Sequence, residues 1–200
     1  MERIPDCTGV LVAGGRARRM GGAAKGLVRA GGVPIAARSV SLLRDLFGEV
    51  LVVAGDPAPW AGLGAPVVPD EIPGKGAPGG LHAALRHVRT RWVFTAACDM
   101  PFLAEAPIRF LAGHRDGAPA VLVEWDRGLE GLHAFWSIDA LPVVERMLRE
   151  GNPSLRAVAA AAGARVIPAS AWREVDPGGR SFENVNTPED LVRLGLEPPG

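Results

Sequence analysis

Between Asp6 and Asp45 the chain has no acidic residue. The same stretch carries Arg16, Arg18, Arg19, Lys25, Arg29, Arg38 and Arg44 around a glycine-rich turn, so it is made to receive an anion rather than a cation. Lysine is scarce throughout, with only Lys25 and Lys75 among 22 basic residues. Net charge is lacking as well: 22 basic residues balance 22 acidic ones, and no global field points to nucleic acid or an anionic membrane. No apolar run approaches the roughly 18 residues that span a bilayer. The opening Met-Glu-Arg-Ile-Pro-Asp has no apolar segment of a secretory leader, so a cytoplasmic location is expected. Cysteine is limited to Cys7, which opens one expected strand, and Cys98, which closes another. If those strands are parallel neighbours, about five residues at roughly 3.3 Å each separate the thiols, too far for a disulfide, and two reduced packed thiols follow.

What is present is ordinary globular composition, 48% hydrophobic and 22% charged, in 200 residues, which fits one domain over 1–200. Apolar runs of strand length alternate with longer helix-period stretches, the pattern of βα units around a mostly parallel sheet. Strands are expected at 8–13, 49–54, 65–68, 91–97, 119–124, 131–136 and 164–167. Helices are expected at 34–46, 79–89, 103–112, 138–149, 153–162 and 188–194. Pro34 suits a first helical turn, Asn152-Pro153 resembles a cap followed by such a proline, and Thr187-Pro188-Glu-Asp offers a capping hydroxyl with two acids at a positive helix end. The Pro/Gly-rich stretches 56–66 and 69–79 read as functional loops.

Four segments carry chemistry. The first strand runs through Thr8-Gly-Val-Leu-Val-Ala-Gly-Gly15 into the cationic turn, where backbone N–H groups and Arg or Lys side chains can meet a phosphate. Its glycines fall at 14, 15, 21 and 22, which matches no G-x-G-x-x-G, and no Ser or Thr follows Lys25 as in a P-loop. In Trp92-Val-Phe-Thr-Ala-Ala-Cys-Asp99-Met-Pro, an apolar strand presents Asp99 at its carboxyl end, where open α/β sheets bind ligands. Asp99 there either caps the next helix or ligates Mg²⁺, and the cationic loop on the same edge favours the metal. Asp70 opens the Gly/Pro-rich loop to Gly80 and either forms a plain turn or accepts hydrogen bonds from a guanine edge. Asn184 and Asn186, two apart, share one face if they lie on a strand, and Asn186-Thr187 also fits a helix cap. His133 is either a buried histidine or a substrate contact, and Trp60, Trp125 and Trp136 are core residues or the lining of a ligand pocket. His82 and His87, five apart on a helix, do not share a face for a metal.

Leu11-Val-Ala-Gly-Gly-Arg-Ala-Arg-Arg-Met-Gly-Gly-Ala-Ala-Lys25-Gly-Leu resembles the signature of nucleotidyltransferases that act on molybdopterin. Gly76-Ala-Pro-Gly-Gly-Leu81, Cys98-Asp-Met-Pro101, Leu132-His-Ala134 and Asn184-Val-Asn-Thr-Pro-Glu-Asp-Leu191 match further blocks of that family across essentially the whole chain. The Ala-Gly-Gly form of the first block and the Asn-Val-Asn-Thr-Pro ending favour the molybdenum cofactor guanylyltransferases. Two departures stand out: the acid before the family lysine is Ala24, and a family asparagine is replaced within Val52-Val-Ala-Gly55.

The resemblance implies a three-layer Rossmann-like nucleotidyltransferase fold. It also implies transfer of GMP from GTP to molybdenum-loaded molybdopterin, with release of pyrophosphate. It places Arg19, Lys25 and Asp99 at the chemistry, with Leu11, Val12, Ala13, Gly14, Gly15, Gly22, Lys25, Asp70, Gly79 and Asp99 around the nucleotide. His133, Asn184 and Asn186 are expected toward the second substrate, and Asp99 on Mg²⁺, for which Mn²⁺ can substitute. The expected partners are GTP and molybdopterin, then a molybdopterin insertase or target apoenzymes, with neither nucleic acid nor membrane. The rival readings are a molybdopterin cytidylyltransferase, a nucleotide-sugar nucleotidyltransferase, and a noncatalytic carrier of GTP or pterin.

Overall fold

A computed structural model describes residues 2–13, 25–126 and 128–199. Its centre is a seven-stranded sheet built from β1 (Cys7–Val12), β4 (Glu49–Val53), β5 (Val67–Val68), β6 (Trp92–Ala97), β7 (Ala120–Trp125), β8 (Gly128–Ser137) and β9 (Arg165–Ile167), in the order β5-β4-β1-β6-β8-β7-β9. Neighbours pair in parallel except at β8, which runs against both β6 and β7. The mostly parallel sheet expected from the alternating pattern is therefore present. A short hairpin, β2 (Arg29–Ala30) and β3 (Val33–Pro34), stands apart and turns through Gly31 and Gly32 at φ of 59° and 77°. Glycine meets that left-handed turn without strain.

Helices cover both faces of the sheet because alternate strand residues point to opposite sides. On β1, Cys7 and Leu11 join one core with Leu43, Phe47, Phe94, Phe135 and Trp172, under α1 (Ile35–Leu46), α3 (Glu105–Ala112) and α6 (Ala169–Trp172). Val10 and Val12 join the other core with Leu81, Val93, Trp136 and Val144, under α2 (Gly76–His87), α4 (Leu141–Glu150) and α5 (Leu155–Ala162). Phe47, Phe94 and Phe135 are essentially fully buried and in mutual ring contact, so each contributes on the order of 1.5–3 kcal/mol of transfer free energy. Cys7 and Cys98 are free and buried, and burial pushes both thiols up to about 12.

Three expectations need correcting. The helix after the Gly/Pro-rich loop starts at Gly76 rather than at residue 79, so the second half of that loop is the first turn of α2. The cap of α5 is Ser154, whose hydroxyl accepts from Ala157 N–H at 3.2 Å; Asn152-Pro153 lies one step upstream. Residues 183–187 form no strand, and the asparagines are placed by other bonds. The cap of α7 (Pro188–Leu194) matches its sequence signal: Thr187 Oγ1 accepts from Asp190 N–H, and the Asp190 carboxylate accepts from Thr187 N–H at 3.0 Å. The Arg193 guanidinium, and after it the Asn186 and Thr187 N–H groups, hold the Asp190 carboxyl down at about 2.

Candidate active site

β1, β4 and β6 end level with one another, Val12 pairing with both Val53 and Ala97. The chain passes from β1 outward through β4 to β5, then crosses back to β6 on the other side of β1. The boundary between β1 and β6 is thus the switch point at which open α/β sheets leave a crevice at the strand carboxyl ends. Because β8 is antiparallel, its first residues, not its last, arrive at the same edge. A cleft of about 850 Å³ lies there.

One part of the cleft is bounded by Val12, by Val53 to Gly55 after β4, by Asp70, and by Gly74 to Gly80 around the start of α2. Gly80 is needed there: a Cβ would come within 2.5 Å of Val12 Cγ1, so only glycine lets α2 pack this close to β1. The first turn of α2 has no side-chain cap, which leaves its leading N–H groups for an acceptor in the cleft. Asp70 closes its own turn, Oδ1 accepting from Ile72 N–H at 3.1 Å. The other part is bounded by Leu129 to Leu132 of β8, by Ser154 to Arg156 at the head of α5, and by Asn184.

Asp99 lines the middle of the cleft, directly after β6. Lys25 Nζ donates to Asp99 Oδ2 at 3.0 Å and also to Asn186 Oδ1. The two charged side chains are 19% and 15% exposed. The segment that carries Asn186 is tied to the same corner, since Val185 N–H donates to the Asp99 carbonyl at 3.0 Å. Asn184 Nδ2 donates to the Phe182 carbonyl at 3.0 Å. Lys75, the other lysine, is turned away to the Gly151 carbonyl at 2.6 Å.

The structure thus gathers Val12, Lys25, Asp70, Asp99, Asn184 and Asn186 at one sheet edge. It does not bring all the expected residues there. Leu11 is fully buried on the α1 side, and Ala13 is occupied in a backbone bond to Val53. Gly79 is buried beneath the loop, where a Cβ would meet Asp70 Oδ1 at 3.2 Å, and Gly80 is the glycine on the cleft. His133 is fully buried among Phe94, Trp172 and Phe182, and burial lowers it to about 4, so it is a core histidine. Trp60 and Trp136 are core residues too, and Trp125 packs on Phe182 and under Arg173. Gly14, Gly15, Arg19 and Gly22 lie outside the described residues. Gly55 of the segment marked by the replaced asparagine lines the cleft, while Leu129 to Gly131 and Ser154 to Arg156 were missed by the sequence reading; the antiparallel direction of β8, which sequence periodicity does not reveal, brings the β8 residues to the cleft.

A crevice at the strand ends, with a lysine, a carboxylate and a glycine-rich helix start, defines a protein that handles phosphate esters. The pattern of the MobA-like NTP transferase domain matches residues 9–166, which makes the protein a nucleotidyltransferase. A molybdenum cofactor guanylyltransferase of Desulfosudis oleivorans is 34% identical over 187 residues, spanning 93% of each chain. A probable molybdenum cofactor guanylyltransferase of Chloroflexus aggregans is 36% identical over 190 residues, spanning 92% of this chain and 91% of its own. The crystal structure of molybdopterin-guanine dinucleotide biosynthesis protein A from Archaeoglobus fulgidus superposes with a TM-score of 0.79 at 27% identity, over 93% of this chain and 95% of that one. The chain belongs to the molybdenum cofactor guanylyltransferase family.

Proposed function

We propose that the protein transfers the GMP moiety of GTP to molybdopterin carrying molybdenum, and that Lys25, Asp99, Asp70 and the two asparagines divide the work. The observation that carries this reading is the Lys25–Asp99 pair, whose carboxylate lines a cleft flanked by the start of α2 on one part and by β8 and the head of α5 on the other. A phosphate oxygen of the pterin attacks the α-phosphorus of GTP in line, the bond from that phosphorus to the bridging oxygen of the β-phosphate breaks, and pyrophosphate leaves with the electron pair. No covalent enzyme intermediate is needed. The protein's task is to hold two mutually repelling anions in line and to neutralise them.

The uncapped first turn of α2 and the backbone at the end of β1 receive the nucleotide, with Lys25 on the triphosphate and Asp70 accepting from guanine N1–H and N2–H₂. Asn184 and Asn186 face the second substrate, and Arg19 joins Lys25 in neutralising phosphate. The donor set suits Mg²⁺ or Mn²⁺: Asp99 presents one carboxylate to the cleft, and no group of three or more His, Cys, Asp or Glu occurs among the described residues. A hard cation that shares its shell between one carboxylate, water and phosphate oxygens needs no more. Bound at Asp99, it would supply positive charge to the phosphate oxygens. Two free thiols fit a reducing compartment, the cytoplasm, and a molybdopterin insertase or an apoenzyme would take the product.

The test is pyrophosphate release from GTP, and separately from CTP, with molybdenum-loaded molybdopterin and Mg²⁺. Release with GTP alone is expected. Release with CTP would move the protein to the cytidylyltransferases, and GTP binding without release would make it a carrier.

A further inference from the structure

A divalent cation and an ammonium that share one carboxylate repel each other, and in this structure Lys25 already holds Asp99. Its Nζ lies 3.0 Å from Asp99 Oδ2 and donates a second hydrogen bond to Asn186 Oδ1. Each member of the trio is fixed by its own backbone. The Asp99 carbonyl accepts from Val185 N–H at 3.0 Å, which docks the 183–187 segment on the end of β6. Asn186 N–H donates to Asp190 Oδ2 at 2.9 Å, as the lead-in to the capping box of α7. After Lys25 comes Gly26, so close to the β6 end that a Cβ would stand 3.0 Å from Cys98 Cβ, which keeps the ammonium within reach of Asp99. With side chains only 19% and 15% exposed, the pair is screened less than a surface ion pair.

We propose that Lys25 is the resident cation of the Asp99 site. Without nucleotide it fills the place a divalent metal would take, and Asn186 is the positioning residue that holds it there. The metal gains Asp99 only when a nucleotide's polyphosphate draws the ammonium away. This rests on reading Asp99 as the metal ligand of a nucleotidyl transfer. The ammonium is then passed from one anion to another and is never left uncompensated in a partly buried site. A neutral amide oxygen suits the holding role, since it orients an ammonium without competing with phosphate as a carboxylate would. Metal and nucleotide are consequently coupled ligands, each raising the affinity for the other by the same factor.

The experiment is titration of the full chain with Mn²⁺ in the absence of nucleotide, following free Mn²⁺ by electron paramagnetic resonance. Lys25→Met is expected to bind Mn²⁺ at least about tenfold more tightly than the parent, the order expected when a unit charge beside a partly screened carboxylate is removed. Adding Asp99→Asn to Lys25→Met abolishes the gain. Asn186→Ala gives a smaller gain of the same sign, whereas a merely loosened fold would lose affinity. If Lys25→Met does not fold, Lys25→Gln carries the same expectation. Equal Mn²⁺ affinity in parent and Lys25→Met, or a gain that survives Asp99→Asn, overturns the proposal, and a loss in Asn186→Ala overturns the part given to Asn186. Pyrophosphate release by the parent is measured alongside. Turnover of GTP with no gain in Lys25→Met sinks the resident-cation arrangement alone; a gain with no turnover sinks the guanylyltransferase reading alone.

Discussion

Replacing His133 by Leu should change how stability depends on pH while barely touching the neutral protein. His133 lies on β8 opposite Ala96, fully buried, with the rings of Phe94, Trp172 and Phe182 at centroid distances of 5.3, 5.5 and 5.3 Å. Neither ring nitrogen has a hydrogen-bond partner of good geometry among the described residues. Burial therefore dominates, offset only in part by the Ser181 backbone and the Asp176 carboxylate, and lowers the imidazole from 6.5 to about 4. Between those two values the unfolded chain binds a proton that the native chain refuses, so stability falls as pH drops through this window and levels off below it. At about 1.4 kcal/mol per pH unit the full loss is roughly 3 kcal/mol, of which about 2 kcal/mol falls between pH 7 and pH 5. That is a sizeable share of the about 5–15 kcal/mol typical of a domain. The assay is urea unfolding of parent and His133→Leu across that range. Every other ionisable group is common to the two proteins, so the difference isolates His133. The parent should lose about 2 kcal/mol more than the variant. Parallel slopes would refute a neutral, buried imidazole.

Lys25→Ala should lower turnover by about 10²–10³-fold, the usual effect of losing one charge contact to the transition state, as read from pyrophosphate release; unchanged turnover would remove Lys25 from that role. Asp70→Asn keeps an acceptor for Ile72 N–H but loses a charged acceptor for guanine, so the preference for GTP over CTP should fall about 10- to 100-fold in competition binding. A Cβ at Gly55 meets nothing within 4 Å and the residue lines the cleft, so Gly55→Asn should be accommodated and tighten GTP by about 2- to 10-fold, measured by calorimetry. Cys7 and Cys98, both buried and raised to about 12, should stay inert to a thiol reagent at neutral pH in the native protein and react once it is denatured.

The elements that the sequence revealed best are those whose environment imposes a period. β1 and β6 are buried on both faces and read as apolar runs, so Cys7–Val12 and Trp92–Ala97 fall within a residue of the expected 8–13 and 91–97. The helix expected at 188–194 is α7 to the residue, because its cap is written in side chains. The β2–β3 hairpin and α6 escaped notice because they are too short to show a period, although Gly31-Gly32 was a turn signal in plain view.

The site divides along the same line. Asp99 is legible because a charge that follows an apolar strand needs a reason, and Lys25 because it is one of two lysines and lies in a stretch with no acid. The antiparallel direction of β8 depends on how the chain returns across the sheet, and no local pattern encodes it. That one reversal brings Leu129 to Gly131 to the cleft, while His133, beyond the register shift in the pairing with β7, is fully buried in the core. The two asparagines lie near each other for a reason other than a shared strand face. They share a corner because Val185, between them, is bonded to the Asp99 carbonyl, a contact across 86 positions of chain that no spacing rule at i and i+2 contains.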